Sequence, residues 1–332
     1  MTWFSDLTGI PTETPQTVRE WLSVEGTRLT SKANVRSFGI GRLTQPALKD
    51  LRGAARAGSG RTSVSEVVAN VQHLHAAPEN AGAVFQVASQ FNLLEMTGPS
   101  VTPEDGVGRY QYDRTQGPAC AIACGAGTIF RNYFAPVAGG IGQTRRRQID
   151  CLADVAAALD NETQRYWDMR NGYALLTPDG VDRLNMTLES LTPGDRDALR
   201  GLVRVGVQED VEVTLNDLGH RVTQVYCSAM PVAYGRGPTE GWEQIARLVL
   251  EAAYEATVLV AAENMRKTGN TRLFLTMLGG GAFGNDAGWI GDAVVRALDA
   301  VRDTGLDISL VSYGKSSSLA RNIVSRWAGE TA

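Results

Sequence analysis

Two groups of residues in this chain of 332 have the types and spacing to do chemistry. The first is the run Gly279, Gly280, Gly281, continued by Phe283, Gly284 and Asn285. Four glycines let the backbone turn with positive φ and leave room for N–H groups to approach an anion. An apolar stretch over 273–278 precedes the run and a helix begins near Ala287. The layout is strand, glycine loop, helix N-terminus, and the positive end of that helix adds to the attraction for an anion. Glycine also serves simply to turn a strand into a helix, so the loop alone names no ligand. The second group lies between 86 and 116. Gln90 and Asn92 stand where a strand gives way to a loop, Asp105 sits in a Pro-Glu-Asp-Gly turn, and Asp113 and Gln116 lead into Pro118. An amide side chain both donates and accepts, as a sugar hydroxyl requires. Two converging carboxylates can divide labour, one activating water while repulsion holds its neighbour partly protonated. The competing reading makes Asp105 a turn residue and pairs Asp113 with Arg114.

The elements that must position these groups follow from periodicity. Residues 1–60 are turn-rich, with extended stretches at 21–29 and 35–43, and read as an N-terminal extension. Ser63 and Glu66 have capping-box spacing, and Val64, Val67, Val68, Val71 and Leu74 fall on one helical face, which predicts a helix there. A strand is expected at 83–89. Pro118 suits a helix's first turn, and the alanines and glycines of 118–127 make that helix slim enough for close backbone approach. Amphipathic spacing continues at 149–159, a short strand at 173–177, and a helical insertion at 178–204. Alternation at 211–215, a turn at 216–219 and a second strand to 229 predict a hairpin. A long core-facing helix over 242–266, a strand at 271–278, a helix from Ala287 and a strand at 307–312 complete the series. Strands alternating with helices from about residue 83 imply a layered α/β fold with a mixed sheet, and one domain spanning 1–332 with insertions. In such folds ligands gather at the loops that follow the strands.

Composition excludes several classes. The 32 Lys and Arg against 36 Asp and Glu give a net charge of −4, so no basic field invites nucleic acid. Arg145, Arg146 and Arg147 form a local run that reads as a solvated helix entrance. The four cysteines, Cys120, Cys124, Cys151 and Cys227, have no zinc-like spacing with histidine and are expected to be reduced packing residues in a cytoplasm. His73, His75 and His220 lie far in sequence from the glycine loop. No metal is expected. The N-terminus lacks the pattern of a secretory signal, and the best membrane candidate, 248–265, is broken by Glu251, Glu255 and Glu263, so a soluble chain without membrane contact is expected.

The segment ending in Ser89, Gln90, Phe91 and Asn92, the small-residue helix at 118–127 and the segment Leu278 to Asn285 together resemble a macrodomain. That resemblance implies a three-layer α/β/α fold that binds ADP-ribose, with amides near the distal ribose and a glycine loop around the pyrophosphate. The stretches from Gln90 to Glu95 and from Pro103 to Pro118 are most similar to a branch known from bacterial effectors, which removes ADP-ribose from arginine. On that resemblance Asp105 and Asp113 are the catalytic acids, Gln90 and Asn92 hold the distal ribose, and Gln116 positions hydroxyls or water. Gly279, Gly280, Gly281, Gly284 and Asn285 meet the pyrophosphate, and Phe283 packs on a ribose. The implied activity is hydrolysis of mono-ADP-ribose from a modified protein side chain with no cofactor or metal; a reader that binds ADP-ribose without cleaving it needs the same loops. Asp286 departs from the pattern, since a carboxylate at a helix start opposes a phosphate, and is expected to cap the helix and point away. A phosphotransferase suggested by Gly314, Lys315 and Ser316 lacks the earlier glycine of a Walker loop, because Ser309 stands there. Hydrolases of the polymer resemble the chain in the triple glycine but carry a Glu-Glu pair, which this sequence lacks.

Overall fold

The computed structural model describes residues 2–54, 60–235 and 238–330. Its centre is a seven-stranded mixed sheet. In chain order the strands are β1 (Arg42–Thr44), β2 (Ser63–Val68), β3 (Val84–Ala88), β4 (Gly206–Glu212), β5 (Arg221–Cys227), β6 (Arg272–Leu275) and β7 (Asp307–Ser312). Across the sheet they run β1-β4-β5-β3-β6-β7-β2. Five neighbours, β5, β3, β6, β7 and β2, are mutually parallel; β4 pairs antiparallel with both β5 and β1. The parallel block sends the C-terminal ends of five strands to one edge, and that edge carries the candidate site.

Strand β3 is buried along its length and faces helices on both sides, as its nearly unbroken apolar sequence requires. Phe85 stacks on His75 of α1 (Val71–Ala76) at a centroid separation of 3.8 Å. The next residue, Gln86, points to the opposite face and donates to Thr257 of α4 (Glu243–Thr268). The period-two alternation of a strand thus separates the two helical layers. With α1 lie α2 (Gln116–Ala123) and α3 (Gly125–Tyr133). Beside α4 packs α5 (Ala287–Asp299), which in turn meets α6 (Ser318–Glu330). The result is a mixed α/β fold in three layers. No described helix is long and apolar enough to cross a membrane.

Two segments depart from the sequence expectation. Residues 63–68 form strand β2, not the start of a helix, and α1 begins only at Val71. Val64, Val67 and Val68 are β-branched, and six residues pair in register with β7 from Ser63 against Asp307 to Val68 against Ser312. Glu66 does cap a helix, though a distant one: its carboxylate accepts from the Ser317 N–H at 2.7 Å, just ahead of α6. The slim helix foreseen at 118–127 is two helices, broken where Cys124 takes φ −114 and ψ 57. The 178–204 segment folds into two helices, Gly180–Glu189 and Pro193–Arg200.

Candidate functional site

A cavity of about 1250 Å³ opens at the C-terminal edge of the parallel strands. Ala69 after β2, Ala88 at the end of β3, Ala229 after β5, Thr276 after β6 and Ser312 at the end of β7 all line it. This is where parallel α/β sheets expose loop backbone and helix N-termini to a ligand.

Helix α2 begins at the cavity and comes very close to β3. A Cβ on Gly117 would stand 2.2 Å from the Ala88 carbonyl oxygen, so only glycine permits the approach. Gln116 locks the junction: its side chain accepts from the Ala88 N–H at 3.1 Å and donates to the Gln86 carbonyl at 3.1 Å. No side chain caps this helix, and the N–H groups of Gln116 and Gly117 have no acceptor among the described residues. The first amides of a helix have no partner within the helix and suit an anion or a hydroxyl.

A neighbouring helix N-terminus is already filled. Asp286 accepts from Gly288 at 2.7 Å and Trp289 at 3.4 Å, so the start of α5, directly after the glycine loop, carries the chain's own carboxylate. Glu66 takes the Ser317 N–H just ahead of α6, and its carboxyl also accepts from Ser312 and Ser316, which together hold it below the usual range; the N–H groups of Ser318 and Leu319, the first of α6, have no acceptor among the described residues. The open helix amides at the cavity are therefore those that start α2 and α6, while the glycine turn contributes loop backbone.

That turn is stitched to the segment after β5. Asn285 donates to the Met230 carbonyl at 2.8 Å, and the Ala233 N–H donates to the Phe283 carbonyl at 3.0 Å. Gly279 at φ 79 needs its glycine twice over, because a Cβ there would also fall 2.6 Å from the Ala229 side chain. Gly281 has nothing within 4 Å of a virtual Cβ and faces open space.

The acids separate. Asp113 lines the cavity; one of its oxygens accepts from the Thr115 N–H at 2.8 Å, and no cation pairs with it among the described residues. Its expected local partner, Arg114, lines the cavity too without meeting it. Asp105 stands outside the lining, where its carboxylate accepts from the Thr102 N–H and hydroxyl, both at 2.8 Å, and faces Arg109 at 3.8 Å. The Thr102 backbone bond, ahead of the other contacts, lowers its pKa.

The amides are also unequal. Gln90 reaches the lining, but its side chain is bound to both backbone groups of Met96 and to the Tyr173 hydroxyl. Asn92 is buried behind it, bonded to Leu94 and Gln148. Both shape the loop after β3, in which Leu93 holds the strained φ of 63. Of the remaining expected residues, Gln116, Gly279, Gly281 and Phe283 line the cavity, whereas Gly280, Gly284 and Asn285 do not.

Sequence reasoning missed several lining residues. Tyr173 and Tyr234 join Phe283 in one aromatic wall; the segment after β7 lines the cavity too, with Lys315 of the Gly-Lys-Ser run noted in the sequence. Glu95 was passed over although its segment was singled out. It is 2% exposed, with Arg131 Nη2 3.7 Å from its carboxyl and the Tyr110 hydroxyl beside it. Burial pushes its pKa up to about 8 despite that guanidinium. The histidines fall elsewhere: His75 is fully buried and burial lowers its pKa to about 4, while His220 bonds the His75 carbonyl. All four cysteines are buried and free.

No family model and no curated protein matches the chain. Among solved structures, it is similar to poly(ADP-ribose) glycohydrolase from Deinococcus radiodurans in complex with ADP-ribose, at 14% identity and TM-score 0.46 over 88% of this chain and 95% of that one. It is also similar to the poly(ADP-ribose) glycohydrolase of Thermomonospora curvata, at 14% identity and TM-score 0.46 over 94% of this chain and 96% of that one. At such values the roles of individual residues rest on the geometry of this chain alone.

Proposed function

We propose that the cavity binds ADP-ribose carried on a protein side chain and hydrolyses its C1″ glycosidic bond, with arginine as the modified residue. One observation carries the reading: a single cavity joins open amides at the start of α2 and the backbone of the glycine turn to Asp113, a carboxylate that pairs with no cation among the described residues. Backbone amides suit a pyrophosphate, and a carboxylate suits a cationic ribosylated guanidinium. The macrodomain resemblance of the segments from Gln90 to Gln116 and Gly279 to Asn285 supports the same ligand.

In the reaction a water oxygen bonds to C1″ as the C1″–N bond breaks and its electron pair returns to nitrogen. The water's proton goes to the departing guanidine, leaving a guanidinium and free ADP-ribose. Asp113 stabilises the positive charge that develops on the ribose and orients the water. Gln116 fixes the floor on which the ribose rests through its bonds to β3. Asp105 supports the Thr102 turn and is a second candidate acid.

The test uses peptides ADP-ribosylated separately on arginine, serine and glutamate. Wild-type protein is expected to release ADP-ribose from the arginine peptide, and Asp113→Asn to lower kcat by about 10²- to 10⁴-fold. Full activity in Asp113→Asn removes the catalytic assignment. Asp105→Ala separates support from chemistry: a lower melting temperature with near-normal kcat keeps Asp105 in the turn, and a collapsed kcat at unchanged stability returns it to the reaction. The reader alternative is favoured by the presence of only one of the two acids on the lining; binding of ADP-ribose without release from any peptide establishes it.

A further inference from the structure

Three aromatic rings close one side of the cavity. Tyr173, Tyr234 and Phe283 have centroid separations of 5.0, 5.4 and 5.8 Å, the spacing of rings in direct contact. They come from three distant places: the strand Tyr173–Leu176, the short helical turn Val232–Tyr234, and the end of the glycine loop. Tyr173 is deep, at 1% exposure, and Tyr234 is 37% exposed, so the wall rises from the floor of the cavity to its mouth.

The polar edge of the wall is fixed. The Tyr173 hydroxyl donates to the Met96 carbonyl at 2.6 Å and receives the Gln90 amide at 3.4 Å. Its pKa is raised first by burial, then by the nearby Tyr234 hydroxyl and by the charge of Asp113. Asp113 lines the same cavity as Tyr173, Tyr234 and Phe283. The Ala233 N–H bond to Phe283 ties the Tyr234 turn to the glycine loop, so two of the rings are held as a unit.

An exposed aromatic face on the same cavity as a carboxylate that pairs with no cation among the described residues suits a flat, delocalised cation. A guanidinium can lie on a ring and keep its in-plane N–H groups for a carboxylate, which a compact ammonium or a neutral hydroxyl cannot do. We propose that Tyr234, with Asp113, forms the leaving-group subsite and selects arginine as the residue from which ADP-ribose is removed. This assignment rests on the hydrolase reading above and adds to it the element that chooses among linkages. A leaving group must depart toward solvent, and Tyr234 is the ring of the wall that reaches the mouth.

The experiment compares wild type, Tyr234→Leu and Tyr234→Phe on arginine-linked and serine-linked peptides, with ADP-ribose affinity and thermal melting measured on each. Tyr234→Leu is expected to lower kcat/KM for the arginine peptide by about 5- to 30-fold relative to the serine peptide, with ADP-ribose affinity within about twofold. Tyr234→Phe, which keeps the aromatic face, is expected to recover most of that loss. Equal losses on both peptides, or a matching fall in ADP-ribose affinity, would show that the wall stacks on ribose or adenine and overturn the proposal. Should wild type release no ADP-ribose, the hydrolase reading fails. The subsite is then judged by binding: tighter capture of the arginine-linked peptide than of ADP-ribose, lost in Tyr234→Leu, sustains it, and equal affinities sink it.

Discussion

Replacing Glu95 with glutamine should make the protein more stable near neutral pH, against the usual direction of a substitution in a packed interior. The Glu95 carboxyl is buried, with the Arg131 guanidinium 3.7 Å away and the Tyr110 hydroxyl beside it. Burial raises its pKa from 4.5 to about 8. Folding therefore takes up a proton throughout the window between those values, and the stability of the folded state falls as pH rises from 4.5 toward 8. Each pH unit in that window costs about 1.4 kcal/mol, so at pH 7 the group disfavours the folded state by roughly 3 kcal/mol. Glutamine has nearly the same shape and carries no such term. The assay is urea denaturation of both proteins at several pH values from 5 to 8.5. The wild-type curve should decline more steeply, with the difference approaching about 3 kcal/mol at pH 7 and shrinking toward pH 5. His75 acts with the opposite sign: its pKa is lowered from 6.5 to about 4, so its contribution is intact above 6.5 and lost as pH falls. It is common to both proteins and cancels in the comparison. Parallel curves would refute the reasoning, because they would mean that Glu95 ionises in the folded protein as it does in the unfolded chain.

Two further substitutions probe the frame of the cavity. Gly117→Ala would place a carbon 2.2 Å from a backbone oxygen of β3, and should lower stability by several kcal/mol or push α2 away from the sheet; unchanged melting with unchanged ADP-ribose affinity would contradict the packing described. Asp286→Ala removes the cap of α5 and should cost about 1 kcal/mol in denaturant titrations, while freeing two amides beside the glycine loop.

Local patterns made much of this fold legible. The long helix α4 was visible from its apolar spacing, the β4–β5 hairpin from alternation around a turn, and the glycine loop from composition. Residues 63–68 misled because Ser63 and Glu66 match a capping box and their valines also fit a helical face. What decides the matter is pairing with 307–312, which no local window contains. The site divides the same way. Asp113, Gln116 and Phe283 lie in segments with recognisable turn and helix signals. Tyr173 and Tyr234 carry no such signal; a hairpin and a loop far apart in sequence bring them to Phe283. Thr102 and Asp105 have the spacing of a local cap, and the structure uses them in that way. The burden on Glu95 was invisible in sequence, since it depends on how deeply packing buries its oxygens.

The capped start of α5 and the uncapped start of α2 give the cavity a direction. A ligand with a doubly charged middle and two dissimilar ends finds open amides at α2 and none at the start of α5, where Asp286 already takes them. Reversing such a molecule end for end would move its sugar away from Asp113. The site should therefore admit nucleotide-like ligands in one orientation, and shortened analogues that keep the phosphates but drop the terminal sugar should act as competitors that leave the Asp113 end empty.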